Sequence, residues 1–324
     1  MNFTSFSSAL GFAALIAAPA VASAADYPTR PIRVTVPFPP GGTSDILTRI
    51  IGEKLTAGLG QQIVVDNRPG AGGVIATDIV AKAAPDGHTL YMTFVSHAIN
   101  PYVYTKLPYD TRRDFTPIAL FAVSPNVVVV TPSLPVKSIK DLIALAKAKP
   151  GQLNYGSAGI GTNSHLSAEM IVAATGIKMT HIPYKGAPQA NADVAAGLVQ
   201  VHIPSMPVTM PLIQAGRLRA IAVTSSKRSP VLPDVPTVAQ TLPGYESLAW
   251  YGFIGPRGTP PPIVARLNAE IEKALKQPDL IAAMSRQGAE PTYKNAKSFG
   301  DYIEAELARW GAAVKAAGLK PGNL

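Results

Sequence analysis

Short runs rich in Val, Ile and aromatic residues alternate along the chain with stretches whose apolar positions recur at helical spacing. Ile32 to Phe38 reads as a strand, and Ile46, Leu47, Ile50, Ile51 and Leu55 as one face of a helix. Gln62 to Val65 is a second strand. Val74 to Ala83 is a helix ended by Pro85-Asp86-Gly87, and Thr89 to Val95 is a third strand. This βαβαβ beginning predicts a parallel sheet with helices on both faces.

Phe115 to Phe121 and the unusually apolar "NVVVVT", Asn126 to Thr131, open a second series. Its predicted helices are Ile139–Lys147, Leu166–Ala174 and Gln189–Ala196. Its strands are Leu153–Tyr155, Lys178–Ile182, Val199–Ile203 and Leu218–Val223. A Pro-rich link leads to "LAWYGFIGP", another apolar strand. The tail is helical: Thr259 is placed to cap a helix with face Ile263, Val264, Leu267, Ile271 and Leu275. A last helix aligns Phe299, Ile303, Leu307, Trp310 and Val314. The pattern predicts two α/β lobes joined by two extended crossings near residues 122–130 and 246–254, with the tail returning to the first lobe. Lobe 1 takes residues 25–124 plus 247–324, and lobe 2 takes 125–246. Facing lobes would put their strand-to-helix loops on opposite walls of one cleft, where open sheets bind ligands.

The first 24 residues hold no Lys, Arg, Asp or Glu and end in Ala22-Ser23-Ala24 after an apolar run. That suits a signal peptide cleaved after Ala24 or Ala25, although the usual basic start is missing. The chain is therefore expected to be exported. The net charge of +9 favours acidic small molecules, membranes or nucleic acid. Nucleic acid is set aside, because no Lys/Arg run exceeds two residues and no basic stretch interleaves aromatics. The absence of cysteine excludes disulfides, thiol catalysis and metal–thiolate centres together.

The chemistry points to two loops. In "VPFPPGGTSDIL", residues 36–47, Pro37, Pro39 and Pro40 donate no hydrogen bond, and every residue from Gly41 onward carries an N–H. The glycines permit close approach of a ligand to the backbone. The helix that follows begins with unpaired N–H groups and a positive dipole end, and Thr43 and Ser44 add hydroxyls. This is an anion site; the plain alternative is a tight strand–helix turn. Asp45 would repel an anion and is read as a brace that accepts N–H bonds. "NYGSAGIGTNSHL", residues 154–166, repeats the device in the other half: Gly156, Gly159 and Gly161 free the backbone, and Ser157, Thr162, Asn163 and Ser164 supply donors.

Other chemistries fit less well. Residues 159–164 fall one glycine short of G-x-G-x-x-G, and no acid follows at the ribose-binding distance. Ser157 resembles half of a nucleophile elbow, but Tyr155 stands where G-x-S-x-G needs glycine. A secreted esterase is the weaker alternative. His165 and Glu169 are spaced for a metal pair but lack a third ligand. His97 is the better pocket candidate, with Ser96 and Asn100 on the same loop.

Seven segments in one order resemble the exported solute-binding proteins of tripartite tricarboxylate transporters, the Bug family. They are "YPTRPIRVTVPFPPGGTSDILTR", "VVDNRPGAGG", "PDGHTLYMT", "NYGSAGIGTNSHL", "IPYKGAPQA", "GRLRAIAVTS" and "WYGFIGPRGTP". The resemblance covers essentially the whole chain after the signal. It implies an α/β type II periplasmic-binding-protein fold, a periplasmic location and a carboxylate ligand. The family's P-G-G-x-x-D loop falls on Pro40, Gly41, Gly42 and Asp45, and its second loop on Ser157 to Asn163. Both are implied to hold a ligand carboxylate, partly through water. Members that bind amino acids carry an acid near residues 203–208, where this chain has Ser205 and Met206. A buried ammonium there would lack a counter-charge. The expected ligand is a plain mono- or dicarboxylate, aromatic acids included. Phe38, Tyr102, Met206 and Trp250 are candidate apolar walls. The expected protein is a monomer without cofactor, metal or enzymatic activity, serving a tripartite tricarboxylate-type permease or, alternatively, a sensor kinase.

Overall fold

The computed structural model describes residues 27–316 and 321–322, so the expected signal peptide lies outside the described residues. The first series forms β1 (Ile32–Val36), α1 (Thr43–Leu59), β2 (Ile63–Asn67), α2 (Val74–Ala81), β3 (Thr89–Phe94), α3 (Ser96–Val103) and β4 (Phe115–Pro125). The second forms β5 (Val127–Val130), α4 (Ile139–Ala148), β6 (Asn154–Ser157), α5 (Asn163–Thr175), β7 (Thr180–Pro183), α6 (Ala187–Ala195), β8 (Val201–His202), α7 (Met210–Gln214) and β9 (Arg219–Val223). The chain then returns through β10 (Leu248–Pro256), α8 (Pro261–Leu275), α9 (Pro278–Arg286), β11 (Glu290–Lys294) and α10 (Ala296–Ala316).

These strands make two sheets, ordered β11-β4-β10-β3-β1-β2 and β7-β6-β8-β5-β9. The opening βαβαβ pattern alone predicted a parallel sheet, but neither sheet is wholly parallel. β10 runs antiparallel to both β3 and β4, and β5 runs antiparallel to β8 and β9. The reason is connectivity: each of these strands enters its sheet from the opposite half of the molecule. β4 passes into β5 across Asn126 alone, and β10 pairs with β4 from Leu248↔Pro125 to Pro256↔Phe115. The two expected crossings therefore lie side by side and are hydrogen-bonded to each other.

The "VVVV" run owes its composition to burial on both faces. Val128 and Val130 join a cluster with Leu142, Tyr155 and Ile171, whereas Val127 and Val129 join one with Val194 and Leu218. The six-stranded sheet has its own core, in which Val34, Leu47 and Ile51 pack with Ile271, Phe299 and Trp310 of the tail helices. Within it Glu306 accepts from both indoles, Trp250 and Trp310, at 2.9 Å each.

The pattern missed α3, α7, α9 and β11. α3 carries Pro101 inside it, which masks a helical reading. The cap on α8 also differs from expectation. Pro260 is the N-cap, and the Thr259 hydroxyl instead donates to the Pro256 carbonyl at 2.8 Å.

Candidate functional site

β1 ends in a turn where Gly41 adopts φ +78°, a left-handed conformation suited to glycine. The glycine amides are not bare. Gly41 N–H donates to Asp45 Oδ2 at 2.9 Å and Gly42 N–H to the Pro39 carbonyl at 3.1 Å. The free donors lie one step further on. Gly42 caps α1 without a side-chain bond, and the N–H groups of Thr43, Ser44 and Asp45 have no acceptor among the described residues.

Asp45 holds this turn in shape. Its carboxylate is buried and accepts from Gly41, from Arg49 at 2.9 Å and from Asn67 Nδ2 at 3.1 Å. Burial alone would push the carboxyl up. The bonds from Arg49, Gly41 and Asn67 outweigh it and hold Asp45 below the ordinary carboxylate value.

The second loop reaches the same end with neutral groups. Ala158 N–H donates to Ser164 Oγ at 2.9 Å, Gly159 N–H to Ser157 Oγ at 3.1 Å, and Gly161 N–H to His165 Nδ1 at 3.4 Å. Thr162 caps α5 without a side-chain bond, and the N–H groups of Asn163, Ser164 and His165 have no acceptor among the described residues. Ser157 Oγ lies 2.7 Å from His181 Nε2, and the His165 and His181 rings stack at 4.1 Å. Burial pushes His165 down to about 3, with the adjacent His181 adding to the effect, and pushes His181 down to about 4. Both imidazoles are neutral near pH 7. Glu169 accepts from the Tyr155 hydroxyl.

The two helix starts converge on one cavity of about 50 Å³, room for about four water-sized groups. Of the expected residues, Phe38, Gly42, Thr43, Ser44, Thr162, Asn163 and Ser205 line it. The wall carries no charged side chain. Thr43 Oγ1 and Ser205 Oγ meet at 2.8 Å, joining the halves directly.

The other expected residues stand elsewhere. Gly41 and Asp45 shape the first turn, and Ser157 shapes the second. Gly161 packs between the halves: at φ +72° an added Cβ would come within 2.7 Å of Val103. Ser96, His97 and Asn100, on α3, lie outside the cavity wall. His97 is buried against Tyr109 and Phe115, where desolvation lowers it to about 4. Asn100 donates to the Gly72 carbonyl at 3.3 Å. Met206 packs with Met210 and Val223 in a separate cluster. Trp250 faces Glu306, on the opposite face of β10 from the cavity.

Ser164, expected as a donor at the helix start, also lines the cavity, whereas the sequence reading missed Asn126, Ala187, Ala249 and Tyr251. Two of these had a signal. Tyr251 alternates with Trp250 along a strand, so one of the two had to face away from the tail helices. Asn126 is a polar residue heading four valines. In the structure it donates to Ser167 Oγ at 2.8 Å and accepts from Asn163 Nδ2 at 3.2 Å.

Two α/β lobes with exchanged antiparallel strands and a cavity between helix N-termini define a two-lobe periplasmic solute-binding fold. The sequence profile of the tripartite tricarboxylate transporter family receptor, TctC, matches residues 47–319. BugT of Bordetella pertussis is 38% identical over 324 residues, covering 99% of each chain. Rpa4515 of Rhodopseudomonas palustris, solved with adipate, superposes with a TM-score of 0.90 at 41% identity, covering 91% of this chain and 100% of that one. MatC of the same organism, solved with bound malate, gives 0.85 at 33% identity, covering 89% and 100%. The chain belongs to the Bug family of tripartite tricarboxylate transporter receptors.

Proposed function

We propose that the protein is an exported receptor that captures a small plain carboxylate between its lobes and delivers it to a permease of the tripartite tricarboxylate type. The lobes divide near residues 124/125 and 246/247, and the leader is removed after Ala24 or Ala25. One observation carries the reading: unpaired first-turn amides of α1 and α5 meet at a cavity whose wall bears no charged side chain. Amide hydrogens and positive helix ends suit an oxyanion. No acid in the wall would neutralise an ammonium, which disfavours amino acids. Adipate and malate in the two structural relatives support the same ligand class. Hydrogen bonds to a charged group contribute about 1.5–3 kcal/mol each. Three or four, less the cost of ordering, correspond to an affinity on the order of micromolar.

Calorimetry of the chain from Ala25 onward against a panel of carboxylates and neutral sugars tests this. Micromolar heats with one or more carboxylates are expected. Binding of a sugar, with none to any acid, overturns it.

A further inference from the structure

The two crossings between the lobes meet α5 in a closed ring of hydrogen bonds. Asn126 is the single residue between β4 and β5, and Ser247 immediately precedes β10. Asn126 Nδ2 donates to Ser167 Oγ at 2.8 Å, and Asn163 Nδ2 donates to Asn126 Oδ1 at 3.2 Å. Ser247 Oγ donates to Asn163 Oδ1 at 3.0 Å. The 2.7 Å contact between the Ser167 and Ser247 hydroxyls therefore has Ser167 as its donor, and it closes the ring. All four donors run the same way round, so each bond polarises the next. Thr224 ties the crossings to each other: its hydroxyl accepts from the Asn126 N–H at 2.7 Å and donates to the Ser247 carbonyl at 2.5 Å. All five residues are buried.

The ring bears on the carboxylate site through Asn163. That residue opens α5 and owns one of the amides left without an acceptor. An asparagine near a helix start competes for such amides with its own side-chain oxygen. Here that oxygen is engaged by Ser247 and the carboxamide nitrogen by Asn126, so the amides stay open. Asn126 and Asn163 line the cavity, whereas Ser167 and Ser247 stand outside its wall.

Resting on the carboxylate reading above, we propose that Ser167 and Ser247 are positioning residues for ligand capture. They touch no ligand. They hold the Asn163 carboxamide against both crossings, which keeps the first-turn amides of α5 free and makes their direction follow the crossings. A rotation of the lobes about those strands then carries the α5 amides as a unit toward those of α1.

The test measures adipate, malate and benzoate binding by calorimetry on the wild-type chain, Ser167→Ala, Ser247→Ala and the double variant, with melting temperatures in parallel. Each single change removes one link and adds no atom. It should weaken whichever of these acids the wild type binds by about two- to tenfold. The double variant should be within about twofold of the weaker single one, because a ring opened once has lost its unity. As a control, Arg219→Met removes donors to the Pro132, Leu134 and Val136 carbonyls of the same lobe. It should lower the melting temperature and leave affinity unchanged. Wild-type affinity in either single variant, whatever its melting temperature, overturns the positioning role. So does an equal loss of affinity in Arg219→Met, which would mark general loosening. Losses that multiply in the double variant overturn the ring as one unit. Failure of all three acids to bind the wild type overturns the carboxylate reading itself.

Discussion

The two loops that face each other across the cavity present the same thing by different means. Each ends in a helix with three unpaired amides and no side-chain cap. The first is braced by an ion pair between the buried Asp45 carboxylate and the exposed Arg49, while the second is braced by hydroxyls and two stacked neutral imidazoles. The shared feature is what an anion needs, namely donors without a neighbouring net charge. The braces differ because each answers only to its local amides. A charged carboxylate near an anion site is tolerable when a guanidinium cancels it and its oxygens are occupied.

The comparison can be broken most severely at Gly42. An added Cβ there would sit 3.2 Å from the Pro39 carbonyl, and a leucine side chain would have to enter a cavity of about 50 Å³. Gly42→Leu should weaken carboxylate binding at least about a hundredfold, as expected when a fully formed polar site is blocked. Calorimetry reads this directly, and unchanged affinity would show that no ligand approaches that backbone.

Asp45→Ala removes the acceptor of the Gly41 amide and leaves Arg49 without its partner. Stability should fall by about 1.5–3 kcal/mol, the net worth of a hydrogen bond to a charged group, as measured by urea unfolding. A loss far below this would mean the turn keeps its shape without the brace.

The braces should also respond to different pH ranges. Unfolded imidazoles take up protons near 6.5, whereas folded His165 and His181 stay neutral down to about 3 and about 4. Stability should therefore fall as pH drops from about 6.5 toward about 4 and then level off in this respect. Asp45 is held below 3.8, so its contribution is intact above that value and is lost only as pH falls through the folded value. Unfolding measured from pH 7 to pH 4 should show this slope, and replacing His165 and His181 with glutamine should reduce it without abolishing it, because buried His97 and His202 are lowered in the same way.

The smallest effect is expected at the contact between the halves. Thr43→Val removes the hydroxyl that meets Ser205 and should weaken binding by about 0.5–1.5 kcal/mol, with little change in melting temperature.

Much of this was legible in the chain because its signals are local. A glycine- and proline-bearing turn before an apolar helix face marks a helix start wherever it occurs, and both loops were found that way. The alternation of strand and helix patterns placed most elements. Elements with weak local signals escaped, such as α3 with its internal proline. His97 misled for a related reason: a histidine just past a strand looks poised for a pocket, yet its ring turned into the aromatic packing of Tyr109 and Phe115. Met206, next in sequence to the cavity-lining Ser205, points into a different cluster.

By itself the sequence determined the α/β class, the two lobes and the two amide-bearing turns, because these depend on spacing and backbone chemistry within about a dozen residues. Only the tertiary structure decided which amides stay free, since Gly41 and Gly42 turned inward to partners within their own loop. It alone brought Asn126 and Tyr251, from the two crossings, into one wall with Thr43 and Asn163. Such a wall depends on how two sheets exchange strands, and contacts between residues more than a hundred positions apart leave no periodic trace in the chain.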